Sequence, residues 1–162
     1  MKNLIPYFIQ QQYQQSHNHG ELEAYTMCVD LSGFTPLTET LMQQGNEGAE
    51  KLSIILNNIF RPLVQLVYAN GGFIPYFAGD AFTAIFPMEA EGQSIEKLVQ
   101  MALRARALFS KQDDKFGDFA IGIKIGLACG EVEWGIVGNP RTQQSFYFRG
   151  PAIDRCAEGQ LK

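Results

Sequence analysis

The chain has 162 residues, of which 46% are hydrophobic and 19% charged, with a formal net charge of -4. That is enough for one domain with a sizeable core, and the mildly acidic balance excludes a chain-wide basic footprint for nucleic acid. No apolar run approaches the roughly 20 residues that span a bilayer, and the opening MKNLIPYFIQQQYQQ lacks the apolar core and cleavage site of a signal peptide. The three cysteines, Cys28, Cys129 and Cys156, have neither metal-ligand spacing nor an even-numbered disulfide framework, so a reducing cytoplasm is the expected setting.

Residues 1–23 carry a short apolar group, then a Gln-rich polar tract ending in His17-Asn18-His19-Gly20, and read as an N-terminal arm and linker. Residues 24–31 (AYTMCVDL) are short, apolar and β-capable, which predicts a buried strand ending at Asp30. Ser32-Gly33-Phe34-Thr35-Pro36 predicts a tight turn, with Thr35 as a helix N-cap and Pro36 as first helical residue. A short helix to about Gln44 follows. Gly45-Asn46 breaks it, Asn46 caps the next, and Leu52, Ile55, Leu56, Ile59, Leu63, Leu66 and Val67 recur at helical spacing until Asn70-Gly71-Gly72.

Residues 73–86 read as a hairpin around Ala78-Gly79-Asp80-Ala81. A helix over 94–110 places Ile95, Leu98, Val99, Ala102, Ala105 and Phe109 on its core face, and Asp113 to Asp118 is a polar loop. Strands are expected at 121–128, 132–137 and 146–148, with a last helix opening at Gly150-Pro151. This order predicts an α+β domain with a mainly antiparallel sheet flanked by helices, a ferredoxin-like core with extensions.

The chemistry rests on two acids at element ends. Asp30 closes the first strand and Asp80 sits in the hairpin turn, and in a ferredoxin-like core these elements lie side by side. Carboxylates held together repel unless a cation lies between them, and hard oxygen ligands suit Mg²⁺ or Mn²⁺. Two such ions, about 3.5–4 Å apart, can activate an attacking oxygen and bind a phosphate. The glycine turn after Asp30 offers backbone N–H groups at a helix start, which bind phosphate without a charged side chain.

Taken singly, these features have plainer readings. An acid before a glycine turn is usually a turn residue, a Gly-Asp pair in a hairpin is usually only a turn, and Gly71-Gly72 is a helix stop. His17 and His19 are most simply exposed linker histidines, Cys28 is buried packing, and Trp134 is core or dimer surface. Lys97, Arg104 and Arg106 read as a solvated helix face, while Arg149, just before Gly150, could meet an anion.

The combination resembles a known family. Asp30-Leu31-Ser32-Gly33-Phe34-Thr35 resembles the first metal motif of class III adenylyl and guanylyl cyclases, and Gly48-Ala49-Glu50 with Leu56-Asn57 resembles their next helix. Gly71-Gly72 followed by Phe77-Ala78-Gly79-Asp80-Ala81 resembles the second metal motif. Ile125-Gly126-Leu127-Ala128-Cys129-Gly130-Glu131-Val132 resembles the following strand and turn, and Val137-Gly138-Asn139 the loop beyond. The motifs occur in family order over about residues 24–158, closest to the soluble multidomain branch.

The resemblance implies a cyclase catalytic domain over 24–162, incomplete at its C-terminal end. It implies two Mg²⁺ or Mn²⁺ ions on Asp30 and Asp80 with the Leu31 carbonyl, phosphate contacts from Ser32, Gly33, Phe34 and Thr35, and ATP or GTP as substrate. It also implies a second cyclase domain, since such domains work as pairs. The chain departs from the family where the other half of a site is supplied. Tyr76 stands at the base-reading Lys, Tyr147 at the base-reading Asp or Thr, Asp154 at the transition-state Asn and Glu158 at the transition-state Arg. An acid in place of that Arg cannot stabilise developing negative charge.

The expectation is therefore the metal-carrying half of a heterodimeric site, inactive as the isolated fragment. Two other readings compete: a non-catalytic module that binds nucleotide or a small effector, and a diguanylate-cyclase-like palm enzyme. The second is disfavoured because Ala78-Gly79-Asp80-Ala81-Phe82 lacks that family's second glycine and following acid.

Overall fold

The computed structural model describes residues 5–110 and 119–159; the polar loop expected at 113–118 lies outside them. The order is α1 (Tyr7–Gln14), β1 (His19–Ser32), α2 (Phe34–Met42), α3 (Asn46–Ala69), β2 (Phe73–Ala78), β3 (Ala81–Pro87), α4 (Ile95–Ser110), β4 (Gly122–Asn139), β5 (Gln143–Arg149) and α5 (Pro151–Gly159). The sheet runs β2-β3-β1-β4-β5 with antiparallel pairing throughout. Its first four strands have the ferredoxin-like arrangement, with β1 central, and β5 extends it.

Strand alternation divides the core in two. Met27, Val29 and Leu31 of β1 and Phe82, Ala84 and Phe86 of β3 point to one face, where they meet Leu63 and Val67 of α3 and Leu98, Met101, Ala105 and Phe109 of α4. The other face carries Ala24, Ile85, Val132, Trp134 and Phe148, covered by Ile9 of α1 and by Ala152 and Ile153 of α5. Phe8 of α1 stacks on Phe73 at 5.4 Å and meets Trp134 edge-on at 5.4 Å, a preferred geometry for aromatic pairs. By length and composition α3 could cross a membrane, but its Ile59, Leu63 and Val67 belong to the sheet's core, which makes it a core helix.

Several local expectations are corrected. β1 begins at His19, not Ala24, and residues 7–14 of the expected arm form α1. The strands expected at 121–128 and 132–137 are one strand, β4, because Gly130 passes the break at a positive φ of 139, open to glycine, while β1 pairs alongside. Gly33, not Thr35, is the N-cap of α2, and Gly45, not Asn46, that of α3; both glycines take the positive φ needed to turn into a helix. On α4, Ile95 and Val99 are exposed, and the buried face is Leu98, Met101, Ala105 and Phe109.

Candidate active site

Asp30 and Asp80 meet at one end of the sheet. Asp30 lies at the end of β1, opposite Ala81 of β3 and Lys124 of β4. Asp80 occupies the two-residue turn between Ala78 and Ala81, in which Gly79 alone has positive φ, as in a type II′ hairpin. The Leu31 N–H donates to the Asp80 carbonyl at 3.2 Å, which ties the turn to the strand one residue past Asp30.

Burial, more than anything else, raises the Asp30 carboxyl above the ordinary aspartate range, and the neighbouring Asp80 charge adds to it. Lys124 and the Leu31 backbone N–H act against that rise. A carboxyl whose ionisation a neighbouring carboxylate opposes fits a cation between the two. Among the described residues no group of three or more His, Cys, Asp or Glu side chains could hold a metal. Donors beyond the two carboxylates would therefore be main-chain oxygens such as that of Leu31, or the ligand itself. Lys124 was not singled out from sequence; only the β1–β4 register sets it beside Asp30.

The turn is tighter than expected, with Gly33 alone between β1 and α2. Gly33 has φ 74, and a side chain there would collide with the Ala120 carbonyl. No side chain caps the N-terminus of α2, so the N–H groups of Phe34 and Thr35 at its first turn have no intrahelical partner. Phe34 itself is buried, and Thr38 donates back to the Phe34 carbonyl at 3.1 Å. Ser32 belongs to β1, opposite Gly122. A cleft of about 340 Å³ opens between Thr35, Leu52, Leu56 and Asp80.

The four partner-type positions divide. Tyr76 pairs with Thr83, on the face where α5 packs; burial first, and the Asp154 charge among smaller causes, raise its phenol above the ordinary range. Asp154 is thus within electrostatic reach of Tyr76. Glu158 lies one turn beyond Asp154 on α5 and is exposed. Tyr147 is on the opposite face from its neighbour Phe148. It donates to Glu133 at 2.8 Å, and Arg149 grips the same carboxylate at 2.8 and 2.9 Å while lying over the Tyr147 ring. Arg149, read as a candidate anion contact, is engaged by Glu133. His17 Nδ1 shares a hydrogen bond with Gln12 Oε1.

Residues 19–152 match the family model described as the adenylate and guanylate cyclase catalytic domain. The chain belongs to that family. This cyclase domain is 37% identical over 133 residues to adenylate cyclase type 10 of Oryctolagus cuniculus, a match covering 79% of the chain and 8% of the relative. It thus spans a small part of the curated relatives it matches. Among solved structures, a bacterial light-regulated adenylyl cyclase aligns with TM-score 0.76 at 20% identity, over 98% of this chain and 46% of that one. The adenylyl cyclase CyaB from P. aeruginosa aligns with TM-score 0.67 at 22% identity, over 86% and 71%. These likenesses agree with the class III cyclase fold and with its α+β, antiparallel architecture.

Proposed function

We propose that this chain is the metal-bearing half of a nucleotidyl cyclase that converts ATP, in preference to GTP, into the 3′,5′-cyclic nucleotide and pyrophosphate with a complementary cyclase domain. The observation that carries the reading is the meeting of Asp30 and Asp80 beside a helix start without a side-chain cap. The adenylate cyclase relatives favour ATP, and a cytoplasmic setting suits the free cysteines.

Mg²⁺ or Mn²⁺ ions would be held by Asp30, Asp80 and the Leu31 carbonyl, where they supply Lewis-acid activation and phosphate binding. The chain's own residues orient the substrate. The Phe34 and Thr35 N–H groups receive phosphate oxygens, and Lys124 adds positive charge beside Asp30. In the reaction the ribose 3′-oxygen bonds to the α-phosphorus in line, the bond to pyrophosphate breaks, and the hydroxyl proton passes to water. Base selection and charge stabilisation come from the partner, because Tyr76, Tyr147, Asp154 and Glu158 cannot supply them.

The test is reconstitution with a domain that carries the complementary Lys, Asp or Thr, Asn and Arg. Asp30→Ala or Asp80→Ala should abolish cyclic nucleotide formation at saturating metal. Near-normal turnover in either variant refutes the assignment. It would favour the second reading, a regulatory module that binds nucleotide or a small effector.

A further inference from the structure

Two of the three cysteines converge at the seam between β1 and α5. Cys28 lies opposite Gly126 in the β1–β4 register. The Cys156 thiol donates to the carbonyl of that same Gly126 at 3.1 Å. Both side chains therefore lie at Gly126, Cys28 from the neighbouring strand and Cys156 from the helix above it. Cys28 also contacts the Thr83 hydroxyl at 3.3 Å, and Thr26 donates to the Ala152 carbonyl at 2.9 Å. The seam is thus a row of small polar groups where a helix–sheet contact would ordinarily be apolar. Both thiols are buried, Cys28 at 3% and Cys156 at 0% exposure, whereas Cys129 is exposed.

The geometry points to Cys28 and Cys156 as a reversible thiol–disulfide modification site that locks α5 onto β1. Buried thiols are inert while they stay buried, so access depends on α5. Its described residues bury Ala152, Ile153 and Cys156 against the sheet. Local opening of α5 uncovers both sulfurs together.

The oxidant is a peroxide. One of the two sulfurs attacks a peroxide oxygen, an S–O bond forms as the O–O bond breaks, and the departing oxygen leaves as water with the thiol proton. When α5 closes, the other sulfur attacks the oxidised one. The S–S bond forms, the S–O bond breaks, and the second oxygen leaves as water with the second thiol's proton. Two thiols lose two electrons in all and the peroxide becomes two waters; a small dithiol reverses the change.

The lock has a consequence for the site. α5 carries Asp154 and Glu158, and β1 runs from Cys28 to Asp30 within two residues on the same face. Oxidation therefore couples the helix that carries Asp154 and Glu158 rigidly to the strand that bears Asp30.

The experiment treats the whole protein with hydrogen peroxide, alkylates it, and maps its peptides by mass spectrometry without reduction. The expected product links the Cys28 and Cys156 peptides with loss of two hydrogens, within one chain. Amide exchange across α5 should slow about tenfold or more, and dithiothreitol should restore it. In Cys28→Ser, Cys156 should instead be trapped as a sulfenic acid by a dione reagent. The proposal is overturned if Cys28 and Cys156 both stay alkylatable only after denaturation, or if peroxide modifies Cys129 alone. No cyclase activity is read, so the outcome is independent of the proposed function.

Discussion

Burial and two neighbouring charges compete at Asp30. Burial leads, Asp80 reinforces it, and Lys124 opposes both. An NMR titration should find Asp30 ionising above the ordinary aspartate range. Asp80→Asn should lower it only part of the way, because burial is the larger cause, and a full return to the ordinary value would reverse that order. The sign for stability follows. A raised carboxyl pKa means that ionised Asp30 disfavours the folded state once the pH passes above the ordinary aspartate value, and acidification relieves the cost. Asp30→Asn should therefore raise Tm at neutral pH, with the gain vanishing in acid. Glu133 has the opposite sign. The Tyr147 hydroxyl first, then Arg149, hold it below the ordinary glutamate range. Its contribution is present above that range and fades as pH falls through the lowered value. Tyr147→Phe should bring its titration back toward normal, and an unchanged midpoint would mean that the hydroxyl does not matter. The acids were legible in the sequence as turn-associated carboxylates. Lys124 was not, because its role depends on a neighbour 94 positions away that only the β1–β4 register supplies.

Two glycines with similar backbone angles allow a controlled comparison at the scale of elements. Gly33 and Gly79 have φ 74 and 63. A side chain at Gly79 would meet nothing within 4 Å, whereas one at Gly33 would press on the Ala120 carbonyl. Gly79→Ala should cost about 1–2 kcal/mol, the ordinary left-handed penalty, and Gly33→Ala should cost measurably more in denaturant melts. Equal costs would show that residue 120 yields easily. Phe8 gives a second test. It holds α1 to Phe73, Trp134 and Phe148, in a cluster separate from the α2–α4 core. Phe8→Ala should cost about 1–2 kcal/mol and release amide protection over 7–14 while β1 and β3 stay protected. Loss of protection throughout would mean that α1 is integral to the fold. The sequence placed α2 to α5 and the β2–β3 hairpin well, since periodicity and turn residues are local signals. It undervalued α1, whose polar Gln repeats carry little amphipathic pattern and whose anchors are aromatics distant in sequence.

For the molecule as a whole, the prediction concerns division of labour. Alone, the chain should show little or no cyclase activity with ATP or GTP and Mg²⁺ or Mn²⁺, a deficit on the order of 10² or more for the absent transition-state donor. Robust turnover by the purified chain would mean that Asp154 and Glu158 do not stand at the transition-state positions, or that another cation serves in place of the Arg. The sequence by itself determined the family, the α+β class and the two acids, because those depend on residue types at short spacings: Asp30 before a glycine turn, Asp80 within one. Tertiary structure alone decided which groups share a neighbourhood. It set Lys124 against Asp30, put Tyr76 opposite Thr83 while turning Tyr147 to the other face, and brought Cys28 and Cys156 both to Gly126. The physical reason is that strand alternation and register act between residues far apart in the chain. A shift of one position would send every side chain of a strand to the opposite face, and only the packed sheet selects between the two.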